Sequence, residues 1–178
     1  MAYEALHMMR GPKKGKTGTL ALKLDVSKAY DKVEWGLLRR IMLKLGFPGG
    51  WVNRVMSCVT STSFSVLING KPYGMITPTR GLRQGDPLSP YLFLLCVEGF
   101  TSILQKAEME EHIHDASICR RATKILHLFF ADDSLLFSQA SEMETQEVLE
   151  ILKLYAEASD QCINMEKSSV YFSSNTSP

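Results

Sequence analysis

Leu126-His127-Leu128-Phe129-Phe130-Ala131-Asp132-Asp133-Ser134-Leu135-Leu136-Phe137 sets two short apolar runs on either side of one acidic pair. The pattern fits a β-hairpin whose tight turn carries Ala131, Asp132 and Asp133. Adjacent carboxylates repel each other and cost free energy to desolvate, so a pair at the mouth of an apolar hairpin suits a bound cation. The competing reading is a solvated turn, because Asp is favoured in turns. A third acidic site, far upstream, shifts the balance toward the cation.

The chain has 178 residues, 45% hydrophobic and 22% charged, the composition of a globular domain able to bury a core. A net charge of +1 gives no nucleic-acid signature over the whole chain, while leaving room for a local basic surface. Cys58, Cys96, Cys119 and Cys162 are far apart with no Cys-x-x-Cys spacing. That argues against a zinc site and a disulfide framework and predicts buried free thiols. Met1 to Met9 lacks the apolar core of a signal peptide, and the longest apolar run, Tyr91 to Val97, is too short to span a bilayer. The expectation is a soluble intracellular protein, nuclear or cytoplasmic, with no membrane partner.

Ala2 to Met9 reads as the last turns of a helix, and Arg10 to Gly18 as a basic loop suited to phosphate contact, nuclear import or plain solvation. Thr19 to Leu24 reads as a strand ending on Asp25, from which Val26 to Asp31 turns away. Glu34 to Leu45 carries a helical stripe of Trp35, Leu38, Ile41, Met42 and Leu45, stopped by Gly46 and Pro48. Trp51 to Val59 repeats that pattern, and both stripes read as core. Ser63 to Ile68 alternates with period two, Asn69-Gly70 signals a hairpin turn, and Tyr73 to Thr77 can return as its partner.

Thr79 to Leu88 holds Gly81, Gly85, Arg80, Arg83 and Gln84, a composition suited to backbone that closely approaches a phosphate-bearing ligand. Ser89 then caps a helix with Pro90 at its first position. His112, His114 and His127 lack ligand spacing and read as surface or core histidines. Ser141 to Glu144 is a capping box opening a helix that runs to Ser159. Asp160-Gln161 turns, Ile163 to Ser168 and Val170 to Phe172 are extended, and the tail from Ser173 reads as frayed. No internal repeat is visible.

These pieces converge on phosphoryl transfer, because carboxylates from separate strands can hold two Mg²⁺ ions about 3.5–4 Å apart. Ala21 to Trp35, Arg80 to Pro90, and Phe130 to Asp133 closely resemble the reverse transcriptase domain of non-LTR (LINE-type) retrotransposons, particularly those of plants. The three motifs stand in the family's order, and the resemblance runs nearly end to end.

The resemblance implies an α+β polymerase palm: an antiparallel sheet with helices packed on one face, part of the fingers and no thumb. Residues 1–18 would be the end of the fingers segment with the basic loop, 19–172 the palm, and 173–178 a frayed tail. Asp25 and Asp132 match the metal-binding catalytic residues and Asp133 their acidic neighbour, with Mg²⁺, or Mn²⁺ in its place, as cofactor. Tyr30 matches the bulky gate that crowds the sugar 2′ position, and Val26, Arg80, Gln84 and Gly85 fall in the family's nucleotide-binding motifs. Lys167 matches the lysine that protonates the pyrophosphate leaving group. The partners implied are an RNA template, a DNA primer and dNTPs.

The chain also departs from the family. The rest of the fingers, which helps hold the triphosphate, and the primer grip and thumb are expected to be missing. Asp160 stands where relatives commonly have Gly, so a positive-φ turn there would be strained. Two rival readings are a retrotransposon-derived relic that binds nucleic acid without catalysis and an unrelated two-metal phosphotransferase or nucleotide cyclase. The Arg80 to Pro90 loop disfavours the cyclase.

Overall fold

The computed structural model describes residues 6, 7, 9, 18–115, 125–130 and 133–176, the side chains of Phe130 and Asp133 excepted. The expected basic loop at 10–17, Cys119, and the turn residues Ala131 and Asp132 lie outside the described residues. In chain order the elements are β1 (Thr19–Ser27), α1 (Trp35–Lys44), α2 (Gly49–Thr60), β2 (Phe64–Ile68), β3 (Lys71–Ile76), α3 (Ser89–Met109), β4 (His127–Phe130), β5 (Asp133–Gln139), α4 (Glu142–Ser159), β6 (Cys162–Ile163) and β7 (Ser169–Phe172). They fall into two compact units, Met1–Ala29 with Phe100–Pro178, and Tyr30–Gly99.

The first unit is built on an antiparallel sheet in the order β4-β5-β1-β6, with β7 also pairing with β1. Period-two alternation gives β1 two faces. Leu22 and Leu24 pack with Leu136 against Phe100 and Leu104 of α3 and Val148, Ile151, Leu152 and Tyr155 of α4. Removing one such side chain from water stabilises by roughly 1.5–3 kcal/mol, so this helix-covered face is the core. The other face carries Ala21, with Leu135, Phe137 and Met9, and Leu6, Ile125, Leu128 and Tyr171 beside them. This second cluster modifies the expectation of one covered face: apolar residues occupy the early part of β1, and Lys23 and Asp25 succeed Ala21 at the two-residue period.

Helix α4 starts as its capping box requires, with Ser141 Oγ accepting from the Glu144 N–H (3.2 Å). The Glu144 carboxylate, however, reaches past Ser141. It accepts from the N–H groups of Gln139 (2.9 Å) and His114 (3.2 Å) and lies 2.8 Å from His114 Nδ1. One buried carboxylate thus joins the end of β5, the His114 loop and the start of α4. The end of the chain is also tied down. Ser173 is buried and exchanges two hydrogen bonds with Thr19, its N–H donating to the Thr19 carbonyl (2.9 Å) and its Oγ accepting from the Thr19 N–H (2.8 Å). The expected fraying therefore does not begin at Ser173.

In the second unit Leu38 and Met42 of α1 and Val52 and Met56 of α2 are buried, as their stripes require. Between the helices Phe47 stacks on Trp51 at a centroid distance of 4.6 Å. Asn69 (φ +50°) and Gly70 (φ +77°) turn β2 into β3, the pair of positive φ angles that a two-residue hairpin of matching twist needs. Both strands are exposed along their whole length. Burial divides the thiols: Cys96 is buried, and desolvation pushes its pKa up to about 12. Cys58 and Cys162 are exposed, contrary to expectation.

Candidate active site

β1 continues past Asp25 because Val26 and Ser27 pair with Ile163 and Cys162 of β6. Asp25 thus sits within the strand and not at its end, and Val26 is a ladder residue. On the neighbouring strand Asp133 stands directly opposite Asp25 in the ladder, while Phe130 opposes Asp133 across the hairpin. Two expected metal positions are therefore brought together by strand register alone. The third, Asp132, lies outside the described residues.

The other edge of β1 explains how Asp25 is held. β7 pairs with β1 as far as Lys23, opposite Ser169, and β6 resumes at Val26, opposite Ile163. The intervening loop, 164–168, supplies the missing partners. Asn164 N–H donates to the Asp25 carbonyl (2.9 Å), and Asp25 N–H donates to Ser168 Oγ (3.3 Å). A strand residue points its N–H and C=O to the same side, so Asp25 and Asp133 form the non-hydrogen-bonded kind of antiparallel pair. This is the closer kind, with Cα atoms about 4.5 Å apart.

Like charges at opposite ladder positions destabilise a sheet, and carboxylate oxygens are the hard ligands that Mg²⁺ or Mn²⁺ prefers over thiolate or imidazole. The donor chemistry at Asp25 and Asp133 fits such an ion. Among the described residues no cluster of three or more His, Cys, Asp or Glu side chains gathers as a ligand set.

Lys167 belongs to the same loop. Its N–H donates to the Asn164 carbonyl and lies equally close to Asn164 Oδ1 (both 3.3 Å), while its side chain is exposed. Just upstream, Asp160 closes α4 in the left-handed region at φ +56°, the positive-φ turn anticipated at that position. Buried Gln161 then reaches back, its Nε2 donating to the Ala29 carbonyl (3.1 Å).

The nucleotide-pocket candidates Tyr30, Arg80, Gln84 and Gly85 lie together in the second unit. The Tyr30 carbonyl accepts from Leu82 N–H (2.8 Å), and Gly81 N–H donates to the Val33 carbonyl (2.8 Å). Two main-chain bonds thus join the Tyr30 turn to the Arg80–Gly85 loop, and Trp35 Nε1 adds a third by donating to the Gly81 carbonyl (2.8 Å). Gly81 permits this approach. At φ +89° a Cβ there would meet the Asp31 carbonyl oxygen at 2.7 Å.

The Tyr30 ring stacks on Phe93 of α3 at 4.8 Å with the planes 19° apart, which sets its direction. Gln84 and Gly85 are exposed, and Gly85 adopts φ +86°. Arg80 pairs with Glu34 at 3.5 Å, an exposed contact worth little on its own. A cavity of about 190 Å³ in this unit is lined by Arg80 and Arg83, by Asp31 and Asp86, and by apolar Val59 and Phe64.

The sequence points to the acids and to Tyr30 but not to the residues that hold them. Gly81 and Phe93 were readable only as a loop glycine and a helix stripe, and Ser168 and Gln161 as polar residues of a terminal turn.

The family model for reverse transcriptase (RNA-dependent DNA polymerase) matches residues 2–177. The chain is 32% identical over 123 residues to a retrovirus-related Pol polyprotein from the type-1 retrotransposable element R2 of Popillia japonica, covering 69% of this chain and 19% of that protein. It is 47% identical over 68 residues to an uncharacterized mitochondrial protein of Arabidopsis thaliana, covering 38% of this chain and 56% of that one. The solved structure of telomerase from Candida tropicalis, in complex with a fragment of telomeric RNA, superposes with a TM-score of 0.69 at 13% identity. That match takes in 96% of this chain and 28% of the telomerase chain. The chain thus spans only part of each of these proteins. From the match over nearly its whole length, it belongs to the reverse transcriptase family, on the non-LTR retrotransposon branch, and has a polymerase palm-type fold.

Proposed function

We propose that the chain carries the catalytic centre of an RNA-directed DNA polymerase that extends a primer 3′-OH with dNTPs on an RNA template. The observation that carries this reading is the opposition of Asp25 and Asp133 in the β1–β5 ladder. In the proposed reaction the primer 3′-hydroxyl gives up its proton to solvent and its oxygen bonds to the α-phosphorus of the dNTP, the bond from that phosphorus to the α,β-bridging oxygen breaks, and pyrophosphate leaves. Asp25, Asp132 and Asp133 would hold Mg²⁺ or Mn²⁺, which when bound neutralises charge on the attacking and leaving oxygens.

The chain's own residues place charge and restrict motion. Asp25 is fixed through both of its main-chain groups, so the Cα that carries its carboxylate is held before substrate arrives, which limits the reorganisation that electrostatic stabilisation would require. Lys167 donates a proton to the departing pyrophosphate. Tyr30, braced by Phe93, narrows the nucleotide pocket at the sugar 2′ position, while Gln84 and Gly85 present an exposed loop to the nucleotide and Arg80 contributes positive charge. Such a reaction belongs inside the cell, in the nucleus or cytoplasm. Among the described residues no helix is long and apolar enough to cross a membrane.

The test is primer extension on an RNA template with Mg²⁺ by the chain joined to the fingers and thumb of a related reverse transcriptase, compared with its Asp25→Asn variant. Extension that falls at least about a thousandfold in the variant, the scale of losing a charge that acts on the transition state, supports the proposal. A correctly folded fusion that fails to extend although its donor does, or full activity in Asp25→Asn, overturns it.

A further inference from the structure

We propose that Ser168 is a positioning residue for Asp25, its hydroxyl replacing the ladder partner that the sheet lacks at that point. Five loop residues, 164–168, stand opposite only Leu24 and Asp25, between the Lys23–Ser169 and Val26–Ile163 pairings. The Asp25 amide would be orphaned there, and Ser168 Oγ accepts its hydrogen bond at 3.3 Å. The direction of the hydroxyl is set. A serine has one hydroxyl proton and two lone pairs, and Ser168 donates that proton to the Asn164 carbonyl (2.7 Å). Its lone pairs are left for Asp25.

The same carbonyl accepts from Ser168 N–H (2.9 Å), and Asn164 N–H holds the Asp25 carbonyl (2.9 Å). Asn164, Ser168 and Asp25 thus close a ring of hydrogen bonds around one main-chain unit. Lys167 is the residue next to Ser168, so a single loop fixes the acid and carries the proposed proton donor. Because the amide leads directly to the Asp25 Cα, loosening it lets the carboxylate wander. A misplacement of about 1 Å can cost on the order of a hundredfold in rate when geometry is demanding.

This inference rests on Asp25 acting as proposed above, and two readouts separate the two ideas. The first is amide exchange at Asp25, followed residue by residue by NMR in the natural chain, Ser168→Ala, Ser168→Thr and Ser168→Val. Exchange at that amide should speed up about tenfold or more in the Ala and Val variants and stay unchanged in Thr, which keeps the hydroxyl. Thr and Val are nearly isosteric, so that pair decides the matter should Ser168→Ala fail to fold. The second readout is steady-state primer extension by the chain joined to the fingers and thumb of a related reverse transcriptase. There kcat should fall about three- to tenfold in Ala and Val, with the KM for dNTP unchanged and Thr restoring the rate.

Unchanged exchange at Asp25 in the Ala and Val variants overturns the proposal, and so does faster exchange with unaltered kcat. Full activity in Asp25→Asn would instead overturn the reading of Asp25, while the exchange data would still report on the Ser168 bond.

Discussion

Gly81→Ala combines a left-handed backbone angle with a clash against main-chain atoms. An alanine at φ +89° is strained by about 1–2 kcal/mol, the usual cost of a left-handed backbone for a residue with a Cβ. The new Cβ would also meet the Asp31 carbonyl oxygen at 2.7 Å and the Asp31 carbonyl carbon at 3.1 Å. Both are backbone atoms, so no side chain can swing aside, and relief of such overpacking costs about 1–3 kcal/mol. Relief must move Gly81 away from the Tyr30 turn, stretching its bonds to Val33 and Trp35. Because the shift that relieves the clash is the one that weakens those bonds, the contributions overlap and total about 3 kcal/mol.

Both tryptophans of the chain, Trp35 and Trp51, lie in the second unit, so Trp fluorescence during urea unfolding reports on the region affected. With a slope of about 2 kcal/mol/M, the midpoint should fall by roughly 1.5 M. Gly74→Ala is the control: Gly74 has φ +65° but no atom within 4 Å of the added Cβ, so only the backbone term of about 1–2 kcal/mol remains. Equal midpoints for the two variants would refute the argument from close approach.

Glu144→Ala should destabilise the first unit by about 3 kcal/mol, since it leaves the Gln139 and His114 N–H groups without their charged acceptor; a thermal melt within 1 °C of the natural chain would contradict this. Cys96 has its pKa raised from 9.0 to about 12 in the folded chain. Between those values the unfolded state ionises first, so stability is intact below pH 9 and falls by about 1.4 kcal/mol per pH unit up to pH 12; Cys96→Ala should flatten that slope in urea titrations, and an unchanged slope would count against it. Tyr30→Ala should raise ribonucleotide incorporation relative to dNTP incorporation, and an unchanged ratio would remove the gate assignment.

Local chemistry was legible in the sequence wherever neighbours along the chain decide the outcome. Asn69-Gly70 turned as its positive φ angles require, Ser141 capped α4, and Asp160 adopted the left-handed turn that its position demands. The alternation Leu20-Ala21-Leu22-Lys23-Leu24-Asp25 already separates a helix-facing side from one that runs from apolar to charged. What was not legible depends on long-range register. Ser168 meets Asp25 across 143 positions, and Val26 and Ser27 extend β1 only because Cys162 and Ile163 return beside them.

Apolar alternation from Ser63 to Ile68 marks a strand, yet period alone does not say what covers it, and here both hairpin strands are exposed. Cysteine spacing likewise excludes ligand motifs without revealing that only Cys96, on the buried side of α3, is sheltered among the described thiols.

The central claim is that acidic residues set opposite each other by the β1–β5 ladder form a cation-dependent centre for nucleotide transfer. Binding of Mn²⁺ to the chain with template–primer and dNTP present, followed by electron paramagnetic resonance, tests it most directly. The account predicts Mn²⁺ binding that Mg²⁺ displaces and that Asp25→Asn weakens at least about tenfold, a loss of roughly 1.4 kcal/mol. Mn²⁺ binding of equal strength in Asp25→Asn and the natural chain would contradict it.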